Sequence, residues 1–481
     1  MQAVSSLLFN SSFINGVFIH RNTATFNVYN PGNGTIVATV EDHGDEVVTL
    51  AIAAAAEAFV FWRNKSAAER SAIMYEWYNL LTLHSESIAQ LLCLESGKTI
   101  TESRGEVAYG IAYIKWFAEE ARRNYGTIIP GYTSNRRIQV IQQPVGVVGA
   151  ITPWNFPLAM ITRKIAPALA VGCTVVIRPS ELTPLTALAL THLAHQAGIP
   201  NGVINTVVGT QASAMGKILC NHPKIAKISF TGSTRVGKIL TEQCSVHLTK
   251  LSLELGGNAP FIVFEDADID LAIQGVLAAK FRFSGQTCVC VNRILVQESI
   301  CDRFVTKLKQ AMSQFTYVAP LEEDANFAPL INAKAITRVE AMTKDAIAKG
   351  GKLVLGGKKH NDYYFEPTLI TQCNSTMLLA QEEIFGPIAA VFSFKNETEA
   401  IQMANDTVYG LASYCYTTDL NRSIRMSEAL EYGIVGINEG LISSEVAPFG
   451  GIKQSGQGRE GSKFGLEDYT YRKYICLGNV V

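Results

Sequence analysis

The sequence has no marked excess of charge and no segment suited to crossing a membrane. Its formal net charge is −1, with 41 Lys and Arg against 42 Asp and Glu, so nothing in bulk attracts nucleic acid or an anionic bilayer. No basic start followed by an apolar run opens the chain, and the most apolar early stretch, 51–62, is interrupted by Glu57 and too short to span a bilayer. We expect a soluble, cytoplasmic protein with neither a nucleic-acid nor a membrane partner.

The spacing of cysteine and histidine that marks a zinc site is also absent, which argues against a structural metal. The ten cysteines are scattered, nearly all within apolar or helical segments, as reduced and buried thiols usually are. One pair departs from this pattern, because a single residue separates Cys288 from Cys290.

An alternation of strand and helix dominates the middle of the chain, whose 481 residues fit two or three domains. Five short β-branched runs alternate with Ala-rich helical patterns, which indicates βαβ units, a mostly parallel sheet and ligands bound beyond the carboxyl ends of its strands. The runs are 145–152, 173–179, 202–208, 226–232 and 251–255.

The flanking segments complete the plan of the domains. Helical spacing dominates 45–125, and the stretch 124–144 is typical of a hairpin with a Pro-Gly turn. A second α/β alternation begins after Leu255. The sequence thus predicts two α/β domains that join near 254–257.

Three side chains in these regions could carry chemistry, and each also has a more ordinary interpretation. Cys288 follows a Gly-Gln-Thr turn, where a thiol can act as a nucleophile, although a lone cysteine is more often a core residue. Glu254 ends an apolar strand, which favours a raised pKa and general-base catalysis, but it shares a strand face with Ser252 and could point outward. Asn155 lies between a strand and a helix, where its amide could donate to an oxyanion or cap the helix.

The turn that follows the run 226–232 is a candidate phosphate site. Gly232 and Ser233 stand between a strand and a helix, and the N-terminus of a helix can hold a pyrophosphate. No Gly-x-Gly-x-x-Gly fingerprint accompanies them, so this signal is weak by itself.

Six short motifs occur in one order along the chain. They are TPWNFPL (152–158), FTGST (230–234), LELGGNAP (253–260), GQTC (285–288), EEIFGP (382–387) and PFGG (448–451). Their order and separations resemble the aldehyde dehydrogenase superfamily over essentially the whole chain. Longer stretches, among them 252–264, 285–293 and 445–465, are similar to its succinate-semialdehyde dehydrogenases.

The resemblance implies an α/β fold in three parts. A Rossmann-like cofactor domain would comprise 1–125 and 145–254, and an α/β catalytic domain would comprise 255–464. A small β oligomerisation element would comprise 126–144 and 465–481. A homodimer or homotetramer is therefore expected, since strand addition across subunits would satisfy an open sheet edge.

The resemblance also implies a covalent mechanism. Cys288 would attack the aldehyde carbon, Asn155 and the Cys288 backbone N–H would hold the oxyanion, and Glu254 would activate the water that hydrolyses the thioester.

The expected reaction is oxidation of succinate semialdehyde to succinate, usually in 4-aminobutyrate breakdown. The alternative within the class is a glutarate-semialdehyde or broad aliphatic aldehyde dehydrogenase. An inactive binding protein of the same fold is disfavoured, because all three residues are present.

A larger set of positions matches the residues that hold the nicotinamide cofactor. Glu181 would accept hydrogen bonds from a ribose diol and repel a 2′-phosphate, whereas Arg178, which stands where most of the family has Lys, would favour the phosphate. If the two side chains pair, their effects partly cancel, and we expect NAD as the preferred cofactor with NADP also open. The full set is Thr152, Trp154, Arg178, Glu181, Gly209, Gly232, Ser233, Glu383 and Phe385.

The choice of substrate is implied by Arg163, Arg282 and Ser443, which match positions that grip the distal carboxylate of a small carboxylate-bearing aldehyde. Taken singly, each would be an ordinary polar residue. Phe283 stands where the subgroup usually has Asn, which puts the shape of the pocket in question and not its charge.

Cys290 is a candidate redox partner of Cys288. In some members of the subgroup the matching cysteine forms a reversible disulfide with the nucleophile, whereas others with the same triplet do not. Two cysteines separated by one residue bridge only with strain.

Overall fold

The computed structural model describes residues 5–21 and 23–480. Their strands are β1 (Phe13–Ile14), β2 (Val17–Phe18), β3 (Thr25–Tyr29), β4 (Ile36–Glu41), β5 (Thr127–Pro130), β6 (Arg136–Pro144), β7 (Val147–Ile151), β8 (Thr174–Arg178), β9 (Ile204–Thr206), β10 (Ile225–Thr231), β11 (Lys250–Glu254), β12 (Ala259–Val263), β13 (Val291–Gln297), β14 (Lys352–Leu355), β15 (Thr368–Thr371), β16 (Ile388–Phe394), β17 (Ala412–Tyr416), β18 (Ile434–Ile437), β19 (Gly456–Gln457) and β20 (Thr470–Gly478).

The α-helices of the described residues follow the same chain order. They are α1 (Asp45–Trp62), α2 (Ala67–Leu83), α3 (Ser85–Ser96), α4 (Ile100–Glu120), α5 (Ala159–Val171), α6 (Leu185–Gln196), α7 (Ala212–Asn221), α8 (Thr234–Cys244), α9 (Ile269–Lys280), α10 (Cys301–Met312), α11 (Ala333–Ala348), α12 (Leu378–Gln381), α13 (Glu397–Asn405) and α14 (Leu420–Ala429).

The five β-branched runs form the parallel part of an eight-stranded sheet, in the order β19-β11-β10-β7-β8-β9-β1-β2. The strands β7 and β8 are buried at every position, which explains why both read as continuous apolar runs. Because these strands are parallel, their carboxyl ends meet at one edge of the sheet. The predicted βαβ region is confirmed.

A second, seven-stranded sheet holds the strands that follow Glu254, in the order β14-β15-β16-β13-β12-β17-β18. All of its pairs are parallel except β14 with β15. The chain passes from the first sheet to the second between β11 and β12, at the predicted junction. It then returns to the first sheet at β19, which pairs with β11. The strand β19 thus belongs to the first sheet although it lies inside the segment 255–464 expected for the second domain.

The predicted hairpin forms as β5 and β6, and β20 pairs with β6 along its whole length. These three strands make a separate antiparallel sheet, in the order β20-β6-β5. No helix within 5–21 and 23–480 has the length and apolar character needed to cross a membrane. In the same residues, no cluster of three or more His, Cys, Asp or Glu is arranged to hold a metal ion.

Candidate active site

Several of the predicted site residues lie at the carboxyl ends of the parallel strands. Glu254 is the last residue of β11, Arg178 the last of β8, and Thr152 follows β7 directly. Thr152 N donates to Arg178 O at 3.1 Å, which ties the ends of neighbouring strands together. The buried hydroxyls of Thr152 and Thr231 have no protein partner at this edge. Hydroxyls without partners at the ends of parallel strands are suited to a polar ligand.

Cys288 lies in the turn between the 3-10 segment 282–285 and β13. The backbone before it is unusual, since Phe283, Ser284 and Gly285 all have positive φ, at 49°, 50° and 80°. A Cβ at Gly285 would overlap the carbonyl oxygen of Gly386, so the turn is shaped by close packing of two loops. The nucleophile candidate is therefore held on a constrained turn, as its sequence context suggested.

The thiol of Cys288 faces two clefts. A cleft of about 260 Å³, here called the cofactor cleft, is lined by Trp154, Gly232, Ser233, Glu383 and Phe385 among others. A pocket of about 310 Å³, here called the anion pocket, is lined by Arg163, Arg282, Ser443, Tyr109 and Phe449 among others. Cys288 lines both cavities, so its thiol lies where a ligand in the cofactor cleft and a ligand in the anion pocket would come into contact.

Burial governs the ionisation of Cys288. Removal from water raises the pKa of the thiol to about 12, and the carboxylates of Glu254 and Glu383 add to this effect. The guanidinium groups of Arg163 and Arg282 oppose it. At neutral pH the thiol is therefore protonated until a base removes its proton.

Asn155 joins the loop after β7 to the turn that carries the thiol. Its Nδ2 donates to the carbonyl oxygen of Gln286 at 2.9 Å, two residues before Cys288. The alternative interpretation of Asn155 as a helix cap is wrong, because α5 begins at Ala159 and its first amides are capped by another side chain. That side chain is Glu106, whose Oε1 accepts from the N–H groups of Leu158 and Ala159 at 3.0 and 3.2 Å.

Glu254 is buried, and its Oε2 has no hydrogen-bond partner. Burial raises the pKa of this carboxyl well above its usual range, and the nearby charge of Glu460 adds to the shift. The outward-facing interpretation is wrong, because both Glu254 and Ser252 are buried on this face of β11. Ser252, which shares the face, donates to Asp468 at 2.7 Å and is itself buried.

Glu460, which the sequence analysis did not identify, organises the charges around Glu254. It pairs with Arg163 (Nε to Oε2) and Lys164 (Nζ to Oε1), each at 2.5 Å, and all three side chains are buried. No periodic pattern marks such a cluster, because 296 residues separate Glu460 from Lys164. The cations keep Glu460 ionised by lowering its pKa.

Arg178 and Glu181, whose pairing the sequence left open, form an ion pair. Arg178 Nη2 donates to Glu181 Oε2 at 2.8 Å and to the carbonyl oxygen of Gly209 at 3.2 Å. Gly209 has no room for a side chain, because a Cβ would overlap the carbonyl oxygen of His43. These three residues form one group at the sheet edge but do not line the cofactor cleft.

On the far wall of the cofactor cleft, Glu383 accepts from the N–H of Gly257 at 3.2 Å, and burial raises the pKa of Glu383 to about 7. Phe385 has φ +52° and packs edge-on to Trp154, with ring centroids 5.6 Å apart. Arg338, which the sequence analysis missed, donates to the carbonyl oxygen of Glu383 at 2.6 Å and also lines the cleft.

Ser233 begins α8 by accepting a hydrogen bond from Val236 N at 3.4 Å. The N-terminus of α8 therefore opens onto the cofactor cleft, with Gly232 immediately before it. Together with the hydroxyls of Thr152 and Thr231, which have no partner, this arrangement fits a dinucleotide with an anionic pyrophosphate.

The two arginines of the anion pocket differ in their partners. Arg163 forms an ion pair with Glu460 and lies against the Phe449 ring, 3.9 Å from its centroid, and its buried Nη2 has no hydrogen-bond partner. Arg282 has a buried Nε without a partner. Phe283, the departure from the subgroup, is buried and does not line this pocket, so its effect on the pocket's shape is indirect.

Cys290 is buried and lines neither cavity. Lys280 Nζ donates to its sulfur at 3.4 Å, and both Cys288 and Cys290 are free thiols. The redox role of Cys290 remains a prediction.

Comparisons with known proteins agree with the resemblance over nearly the whole chain. A model of the aldehyde dehydrogenase family matches residues 18–475. The mitochondrial succinate-semialdehyde dehydrogenase of Arabidopsis thaliana is 52% identical, over 99% of this chain and 90% of its own. The NADP(+) succinate-semialdehyde dehydrogenase of Escherichia coli K12 is 50% identical, over 98% and 99%. A glutarate-semialdehyde dehydrogenase of Pseudomonas putida is also 50% identical, over 99% and 100%.

Solved structures confirm the predicted fold class. An NADP-dependent enzyme of Escherichia coli superimposes with a TM-score of 0.97 at 50% identity, covering 98% of this chain and 99% of its own. A betaine aldehyde dehydrogenase of Staphylococcus aureus, solved with NAD+, superimposes with a TM-score of 0.97 at 35% identity, covering 99% and 97%.

Proposed function

Because the chain belongs to the aldehyde dehydrogenase family, we propose that it oxidises succinate semialdehyde to succinate with NAD or NADP. The observation that carries the proposal is the position of Cys288 between the cofactor cleft and the anion pocket. A pocket with Arg163 and Arg282 in its wall suits an aldehyde that bears a carboxylate at its far end.

In the first step the sulfur of Cys288 bonds to the aldehyde carbon, and the carbonyl electrons move to its oxygen. The protonated thiol gives its proton to solvent before this attack, and the guanidinium groups of Arg163 and Arg282 favour the resulting thiolate. Glu254, whose raised pKa makes it a stronger base than an exposed glutamate, acts in the later hydrolysis.

The oxyanion formed in this step requires hydrogen-bond donors. The amide of Asn155 has two N–H groups, of which one donates to Gln286 O and orients the other. That second N–H and the Cys288 backbone N–H would hold the oxyanion, and one such donor contributes about 3–4 kcal/mol at a preorganised site.

The cofactor cleft supplies the residues that would hold the dinucleotide. Gly232 and Ser233 would bind the pyrophosphate, and Glu383 and Phe385 the nicotinamide end. When bound, the nicotinamide would supply the acceptor for the hydride of the substrate carbon, which would leave a thioester on Cys288. Arg178 and Glu181 would meet the far ribose, where they decide between NAD and NADP.

Glu254 completes the reaction by general-base catalysis. It takes a proton from water, the water oxygen bonds to the thioester carbon, and the carbon–sulfur bond breaks to release the acid. The unpaired Oε2 of Glu254 is free to accept that proton.

Glutarate semialdehyde is the second candidate substrate, because a glutarate-semialdehyde dehydrogenase is 50% identical over the whole of its length. An uncharged aliphatic aldehyde is a weaker candidate, since it would leave the buried Nε of Arg282 without a partner.

Further parts of the proposal rest on the family resemblance. We propose a homodimer or homotetramer in which β5, β6 and β20 lie between subunits, supported by exposed apolar residues on that sheet such as Ile128 and Tyr474. The division into domains at 1–125 with 145–254, 255–464, and 126–144 with 465–481 is part of this proposal. So are a cytoplasmic location and a role in 4-aminobutyrate breakdown.

The test is a measurement of reduced-cofactor absorbance with succinate semialdehyde, glutarate semialdehyde and propionaldehyde, each with NAD and with NADP. We expect the highest kcat/KM with succinate semialdehyde. Equal or better use of propionaldehyde would contradict the proposal for a carboxylate-bearing substrate.

A further inference from the structure

We propose that the buried ion pair of Lys98 and Glu106 is a positioning device for Asn155, the oxyanion donor of the proposed function on which this inference rests. Lys98 lies between α3 and α4, and Glu106 lies on α4. Both side chains are 1% exposed, and Lys98 Nζ contacts the Oε2 of Glu106.

Lys98 holds one end of the loop that carries Asn155. Its Nζ donates to the carbonyl oxygen of Asn155 at 2.6 Å. The same ammonium lies 3.5 Å from the centroid of the Phe156 ring, so it also fixes the next residue of the loop. The three donors of the ammonium are therefore directed at Glu106, Asn155 and an aromatic face.

Glu106 holds the other end of this loop. Its Oε1 accepts from the N–H groups of Leu158 and Ala159, where α5 begins. The helix has no cap from its own N-cap residue, so Glu106 takes that role from α4. One ion pair thus holds the segment 155–159 through hydrogen bonds to a carbonyl oxygen at its start and to two backbone N–H groups at its end.

The geometry of the Asn155 amide depends on this grip. With the backbone held by Lys98 and Nδ2 held by Gln286 O at 2.9 Å, the side chain is fixed at both ends relative to the turn of Cys288. An oxyanion donor contributes fully only when its direction is set before the reaction, and displacement of about 1 Å can cost about a hundredfold in rate.

A buried charged pair at this place is costly unless it is fully hydrogen-bonded. Burial lowers the pKa of Lys98, and the carboxylate of Glu106 acts in the opposite direction. An apolar pair of similar volume would fill the space but could not hold a backbone carbonyl and two amides. The contacts therefore favour a role in positioning rather than in filling the core.

Lys98 also lines the anion pocket, so it could instead serve as a further cation for the substrate carboxylate. Its contact with Glu106 argues against that role, because the charge is balanced before a substrate binds. The two roles predict different kinetics, since a substrate anchor acts on KM and a positioning residue acts on kcat.

The experiment measures kcat and KM for Lys98→Met and Glu106→Gln, alone and together, in the wild-type chain and in an Asn155→Ala chain. Gln retains an oxygen that can accept from Leu158 and Ala159, so Glu106→Gln removes mainly the charge. Glu95→Gln is the matched control, because Glu95 is buried and accepts from Leu185 N and Thr186 N at the start of α6, away from the Asn155 loop.

We expect Lys98→Met to lower kcat by about tenfold to a hundredfold with KM changed less than about threefold. In the Asn155→Ala chain the same substitution should change kcat less than about twofold, because the donor it positions is gone. Glu95→Gln should lower the melting temperature and leave kcat unchanged. If Lys98→Met does not fold, the double variant, which removes both buried charges, carries the same test.

Equal losses from Lys98→Met in both chains would overturn the inference, as would a raised KM with unchanged kcat. If Lys98→Met and the double variant are both fully active while Asn155→Ala is impaired, this inference is overturned but the proposed function is not. An Asn155→Ala variant with unchanged kcat would remove the oxyanion role from the proposed function, and this inference with it.

Discussion

Arg163 Nε lies 2.5 Å from Glu460 Oε2, and both side chains are buried, so the charge of this arginine is balanced before any substrate arrives. Arg282 lines the same pocket with a buried Nε that has no protein partner. Arg163 also has a buried Nη2 without a hydrogen-bond partner, so the two arginines, expected to act alike, differ in the balance of their charge and not in having a free donor.

For Arg282→Met we expect the KM for succinate semialdehyde to rise by about tenfold to a hundredfold, because a hydrogen bond to a charged group contributes about 1.5–3 kcal/mol. The kinetics with propionaldehyde should stay the same. Steady-state assays with both aldehydes check this, and equal losses for both would contradict it.

Arg163→Met provides the contrast. It leaves Glu460 buried with Lys164 as its remaining cation, so we expect a lower melting temperature and a lower kcat with either aldehyde. A variant that loses only its affinity for the semialdehyde would instead make Arg163 a simple anion anchor.

Glu254→Gln should separate the two halves of the reaction. Reduced cofactor should still form in a rapid burst of about one equivalent, because thioester formation precedes the need for the water-activating base. Steady-state turnover should fall by about a hundredfold to ten-thousandfold, the usual contribution of a general base. Stopped-flow absorbance checks both quantities, and loss of the burst would show that Glu254 is required for the attack by Cys288 as well.

The pH dependence of turnover should reflect the burial of Glu254. Burial disfavours the charged carboxylate and raises its pKa, so the base is protonated and inactive at a pH where an exposed glutamate is ionised. We expect kcat to rise with pH, with its acid limb well above the ordinary glutamate pKa of about 4.3. A profile already flat from about pH 5 would contradict the raised pKa.

Glu181→Gln should move the preference for cofactor toward NADP. The substitution removes the charge that repels a 2′-phosphate and frees Arg178, which now donates to Glu181 at 2.8 Å. The ratio of kcat/KM for NADP over NAD should rise by about threefold to tenfold, a modest effect because the partly exposed charge of Glu181 is screened by solvent. Arg178→Met is the matched control and should move the ratio in the opposite direction.

Oxidation tests the role of Cys290. If it bridges to Cys288, peroxide inactivation should be reversed by dithiothreitol, whereas Cys290→Ala should be inactivated irreversibly as the nucleophile oxidises further. Recovery of the variant to the same extent as the wild type would defeat the redox hypothesis. In the structure Cys290 lies against Lys280 and lines neither cavity.

Some features of the fold were predictable because their causes are local. The runs that became β7 and β8 are apolar and β-branched at nearly every position, which is how strands buried on both faces read in a sequence. The order of parallel strands then places Thr152, Arg178 and Glu254 at one edge without further information. The turn that presents Cys288 was visible in the same way.

The sequence by itself thus determined the strands, the sheet edge at which Thr152, Arg178 and Glu254 lie and the turn that carries Cys288, since each depends on neighbouring residues. Only the tertiary structure decided that Glu254 points inward, that Glu106 caps α5 in place of Asn155, that Lys98 contacts the Asn155 carbonyl and that Glu460 pairs with Lys164. These depend on partners that lie 52 to 296 residues away in the chain. A buried polar group pairs with whichever partner the folded chain brings within hydrogen-bond distance, and the local periodicity of the sequence does not indicate that partner.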